Sequence, residues 1–134
     1  MPFDLSEQRL QETEAIIGAM LPASYRTAMM ASNGGTVQAA GDDWALCPIR
    51  DASDRRRLAR SAGDIVTETA GYREWRGFPQ DAVVIALNGS GDCLVFRRDG
   101  GAFDPAPNVW RHESGATHRV ADDFAALHPG LGSA

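Results

Sequence analysis

Lysine is absent: all 13 basic side chains are arginine. We ascribe this to the base composition of the genome rather than to function. Against 18 acidic residues the arginines leave a net charge of −5, and that deficit of positive charge argues against non-specific nucleic-acid binding, which needs clustered cations. Cysteine is scarce. Cys47 and Cys93 stand far apart in apolar surroundings and read as two buried free thiols of a cytoplasmic protein. No apolar run approaches the roughly 18 residues of a membrane-spanning helix. The start, MPFDLSEQRL, lacks a basic segment followed by an apolar one, so no secretory signal is expected. His112, His118 and His128 follow no metal-ligand spacing and have no cysteine near them in sequence, so no metal and no cofactor are expected. Repeats, low-complexity tracts and linkers are also missing, and 134 residues make a single domain, 1–134.

What is present centres on Ala82 to Arg98. Two short runs rich in Val, Ile, Leu and Phe, Ala82 to Leu87 and Cys93 to Phe96, flank Asn88-Gly89-Ser90-Gly91-Asp92. Such runs favour strand, and the glycines suit a hairpin turn. The first run barely alternates, which predicts a central strand covered on both faces. Around it, Asp4 with Glu7 predicts a capped helix start. Pro22 opens a second helix that presents Tyr25 and Met29, and Asn33-Gly34-Gly35 ends it. Val37 and Trp44 to Leu46 predict short strands around a turn at Gly41-Asp42-Asp43. Asp54 and Asp64 each cap a helical piece between Asp54 and Trp75. Strands follow at Val109 to His112 and Thr117 to Val120. Asp122 begins a last short helix, with Phe124 and Leu127, that Pro129-Gly130 ends. Strands that are sequence neighbours with short connections make a mainly antiparallel sheet with flanking helices, an α+β fold.

Several of these stretches resemble one family. Leu21-Pro22-Ala23-Ser24-Tyr25 followed by Ser32-Asn33-Gly34-Gly35 is similar to the N-terminal signature of the SUKH superfamily. Trp44 to Ile49 resembles its next strand, Val84 to Asp92 its central hairpin, and Val120 to Phe124 its closing helix. The matches fall in order from about Leu10 to Leu127. The resemblance implies a SUKH-like α+β fold without catalysis. Its members are immunity proteins of bacterial polymorphic toxin systems and regulators of fungal cell-wall synthesis. It therefore implies a protein partner, a cognate toxin domain that could be a nuclease; the charge balance and the lack of a long apolar run already argue against nucleic acid and membrane as partners. It leaves the toxin and the oligomeric state open.

The residues themselves allow a bland and a functional reading at each place. Asn88 to Asp92 could form an anion-binding nest, but Asp92 would repel an anion, so a turn with Asp92 accepting backbone hydrogen bonds is the better account. Arg50, Arg55, Arg56, Arg57 and Arg60 face only Asp51 and Asp54 locally; we read them as a solvated helix face, with a role in orienting a partner left open. Ser90 lies between strands and is no nucleophile elbow. A small enzyme or ligand-binding domain using His112, His118 and Cys47 is the alternative function, and a regulatory scaffold a further one. For partner binding the candidates are Asp42, Asp43, Glu74, Trp75 and Asp104, acids in expected turns with Trp75 as the most exposed tryptophan. Residues 1–46 and 61–134 each carry −4, so a basic partner would be steered to those acids.

Overall fold

The computed structural model describes residues 2–129. In chain order it has α1 (Glu7–Ile17), α2 (Ala23–Ala31), β1 (Thr36–Ala39), β2 (Asp42–Leu46), α3 (Arg55–Arg60), α4 (Ile65–Tyr72), β3 (Ala82–Leu87), β4 (Cys93–Asp99), β5 (Ala102–Phe103), β6 (Asn108–Trp110), β7 (Thr117–Arg119), a 3₁₀ turn (Phe124–Ala126) and β8 (His128–Pro129). The strands form one antiparallel sheet in the order β7-β6-β4-β3-β2-β1-β8, with β5 pairing the end of β4. The fold is α+β, and the β3–β4 hairpin lies at its centre.

The continuous apolar runs have the expected cause: Ala82 to Ala86 and Cys93 to Phe96 are all buried. Tyr25 of α2 sets its ring edge-on to Phe96 and to Phe124, each at 5.2 Å, so α2 and the 3₁₀ turn cover one face. Cys93, three residues from Phe96, points to the other face with its partner Trp110. There Tyr72 of α4 and the following Phe78 pack against Trp110. The ladder slips between Val84 and Ala86, leaving Ile85 as the extra residue of a bulge. The hydroxyl of Thr69 accepts the Val84 N–H at 2.8 Å, and Ile85 C=O accepts the Cys47 N–H at 2.8 Å, so the disrupted ladder stays satisfied.

The helix starts at Asp54 and Asp64 are as expected: each carboxylate accepts the backbone N–H three residues on, at 2.8 and 2.9 Å. Three local expectations are corrected. The first helix is preceded by Ser6, with no side-chain cap, and Asp4 bonds Arg57 of α3 instead, at 2.9 Å. The β1–β2 turn is Ala40-Gly41, both with positive φ (52° and 75°), so Asp42 and Asp43 belong to β2. That geometry matches the twist of a tight hairpin, but Ala40 takes it without being the Gly or Asn that would have announced it. The closing helix shrinks to one 3₁₀ turn capped by Asp123, because the chain must return to pair His128 with Gln38 of β1. Gly130 lies outside the described residues.

The Asn33-Gly34-Gly35 stretch does more than end α2. Asn33 Nδ2 donates to Ile49 C=O and Asn33 Oδ1 accepts the Ile49 N–H, both at 2.8 Å, which ties the α2–β1 loop to the strand exit after β2. Asn33→Ala leaves both groups of Ile49 unpaired in a largely buried place. The expected loss is about 2–3 kcal/mol, read as a lower urea midpoint with an unchanged slope. Asn33→Asp keeps the acceptor and loses the donor, and should fall between.

Candidate partner-binding surface

The registers bring three turns to one end of the sheet. Ala40-Gly41 closes β1–β2, Asn88 to Asp92 closes β3–β4, and Arg111 to Ala116 closes β6–β7. They are cross-linked. Asn88 Nδ2 donates to Asp42 Oδ2 at 3.0 Å, and the Tyr72 hydroxyl donates to Gly91 C=O at 3.2 Å. Asp92, nearly buried, accepts from Arg111 Nη1 at 2.9 Å, from the His112 N–H at 3.0 Å and from His112 Nδ1 at 2.7 Å. Burial pushes the Asp92 carboxyl up, but the bonds from His112 and Arg111, with the charge of Arg111, more than offset this and hold it at about 2. It is therefore an ionised carboxylate, and Nδ1 of His112 must carry a proton to bond it. Gly91 sits so close that a Cβ there would lie 3.0 Å from His112 Nδ1.

Trp75 follows α4 and rests on this assembly. Its ring stacks on Tyr72 (5.5 Å, 20°) and meets Trp110 and His112 edge-on at 6.0 and 5.7 Å. It is nonetheless 44% exposed. Glu74 beside it is exposed and makes no ion pair among the described residues. Asp42 and Asp43 are exposed at the start of β2 and border a groove of about 560 Å³. Gln38, Leu127 and His128 line the other side.

Four of the five candidates thus lie around one linked end of the sheet. Asp104 does not. It follows β5 at the opposite end, and its carboxylate accepts the Ala106 N–H within its own loop at 2.8 Å. The sequence did not point to Asn88, Tyr72, His112 or His128 as members. Each joins through pairing or turn contacts between distant segments, and only the glycine pattern of the central turn hinted that something would approach it closely.

The residues of the alternative, enzymatic reading are dispersed. Cys47 is buried behind β2, and burial, then the charges of Glu68 and Asp64, push its thiol up to about 12. Burial likewise pushes the Cys93 thiol up. Both are protonated, unreactive thiols at neutral pH. His112 is engaged by Asp92, while His118 is exposed on β7 opposite Val109. Among the described residues no group of three His, Cys, Asp or Glu side chains could hold a metal ion. No helix is long and apolar enough to cross a membrane among the described residues.

Comparison with curated proteins finds no match. The model of the SMI1 / KNR4 family (SUKH-1) matches residues 4–128, which takes in the Tyr25, Asn33 and Asp92 motifs together with every strand that carries the turns described above. This chain belongs to the SMI1 / KNR4 family (SUKH-1).

Proposed function

We propose that this chain is a non-catalytic protein-binding domain that acts as an immunity protein, sequestering a cognate bacterial toxin domain in the cytoplasm. Asp42, Asp43, Glu74 and Trp75 form its contact surface; Asp104, turned into its own loop at the far end, lies outside it. Family membership supports a binding role of this type. The observation that carries the surface is Trp75, a large half-exposed aromatic held rigid by Tyr72, Trp110 and His112. An anchor already fixed in place loses little freedom on binding, and such aromatics dominate interface energies. The exposed carboxylates around it would steer a basic partner and set its orientation.

The test uses the product of the gene adjacent to this one, purified with and without this chain. Wild type should bind it. Trp75→Ala should raise the dissociation rate by about 30-fold, a central-anchor effect. Asp42→Arg with Asp43→Arg should instead slow association by about tenfold and flatten its dependence on salt, because exposed charges are screened over about 8 Å at physiological ionic strength. No binding by wild type sinks the immunity reading. Binding that ignores both variants sinks this surface and leaves immunity standing.

A further inference from the structure

We propose that a second face, built from α3 and Phe3, binds a short acidic segment of a polypeptide. Residues 47–60 hold five arginines and two aspartates, so they carry +3 on a chain whose remainder carries −8. The structure gathers three of these arginines on one ring. The guanidinium carbons of Arg57, Arg60 and Arg56 lie 4.8, 5.2 and 6.0 Å from the centre of the Phe3 ring. The ring face offsets part of their mutual repulsion. The carboxylates of Asp4, Asp51 and Asp54 all go to Arg57, at 2.9, 3.2 and 3.8 Å. Arg50, Arg55 and Arg56 are exposed and make no ion pair among the described residues.

Beside this array runs a groove of about 340 Å³, with Phe3, Asn33, Gly35, Pro48, Arg57 and Arg60 in its walls. It lies at the end of β1–β2 away from Asp42 and Asp43, so it is separate from the surface proposed above. Its floor is fixed by the paired bonds of Asn33 to Ile49 and by the Ser61 hydroxyl, which accepts the Asp51 N–H at 3.0 Å. The one carboxylate in the wall, Asp51, is buried and already bonded by Ser53 and Arg57, so it adds little negative potential. Arginines held in place lose less freedom when they grip a carboxylate than free ones do.

Size selects the occupant. Six helical residues span about 9 Å, room for two or three carboxylates. A long nucleic acid or an anionic bilayer would extend past the patch onto the rest of the chain, which carries −8, and be repelled. A short run of Glu or Asp in a partner protein would not.

The probe is a short fluorescein-labelled peptide of alternating Glu and Gly, followed by anisotropy at low and physiological ionic strength. The same peptide with Gln for Glu, a single-stranded oligonucleotide of equal length and phosphatidylserine vesicles are the other arms. The Glu peptide should bind and the Gln peptide should not. Arg56→Glu with Arg60→Glu should weaken binding at least about tenfold, two exposed charge contacts reversed, with an unchanged far-ultraviolet circular dichroism spectrum. Asp42→Arg should leave this binding unaltered. The proposal is overturned if the Glu peptide does not bind at low ionic strength, if the double reversal leaves its affinity unchanged, or if the oligonucleotide or the vesicles bind more tightly than the peptide.

Discussion

Trp110→Ala should lower stability by about 3–5 kcal/mol, the upper range for emptying a large buried aromatic site. Trp110 is fully buried on β6. Its ring contacts Tyr72, Trp75 and Phe78, and its indole N–H donates to Gly77 C=O at 3.2 Å. It is thus the point where α4, the loop after it and the sheet are joined. A loss of this size is a large share of the roughly 5–15 kcal/mol that holds an ordinary domain folded. Urea unfolding followed by far-ultraviolet circular dichroism measures it. Trp110→Phe separates the two contributions: it keeps most of the ring burial and gives up the Gly77 bond, for an expected 1–2 kcal/mol or about that. A Trp110→Ala protein with a near-normal urea midpoint would mean that the loop carrying Trp75 is held by something other than Trp110. In that case the rigidity argued for Trp75 loses its basis.

The parts of this fold that could be read from sequence are those decided locally. The runs Ala82 to Leu87 and Cys93 to Phe96 are apolar on both faces, and both became central strands covered by helices. Asp54 and Asp64 precede helical pieces, and both cap them with their own carboxylates. Where a residue's role is set by something distant, the local signal misleads. Asp4 has the chemistry of a helix cap, but Arg57, 53 residues away, takes it. Asp42 and Asp43 look like turn residues after Gly41, yet the strand needs them and the turn falls one step earlier. Strands of two residues, β5 and β8, are too short to show a period and exist because a neighbour offers an edge. The candidate surface divides the same way. The exposure of Trp75 and the acidity of the turns were legible; the linkage through Asn88, Tyr72 and His112 was not, since it depends on which turns share an end of the sheet.

Asp92→Ala should lower stability by about 2–3 kcal/mol at neutral pH. Removing one member of a buried ion pair can reach 3–5 kcal/mol, but Arg111 is partly exposed and can return to water, which trims the loss. The pH dependence gives a sharper test. In the unfolded chain the carboxyl titrates near its ordinary 3.8, and in the folded one at about 2. A carboxyl lowered by folding stabilises the native state while it is ionised in both states, so its contribution is complete above about pH 5. It declines as pH falls through 4 and is gone below about 2, roughly 2 kcal/mol in all. Asp51 and Asp123 are also lowered, so they act in the same direction over the acid range. Asp92→Asn therefore should not abolish the acid slope. It should remove the share belonging to this site, leaving a shallower decline between pH 5 and 2 than wild type shows. The Asn variant also sets an amide N–H₂ or a neutral oxygen against donors from Arg111 and from His112 Nδ1 and N–H, so at pH 7 it should lie below wild type and above Ala. Stability curves for wild type and Asn that run parallel from pH 7 to pH 2 would show that Asp92 does not hold its charge against these partners, and that the three turns are joined by shape rather than by this ion pair.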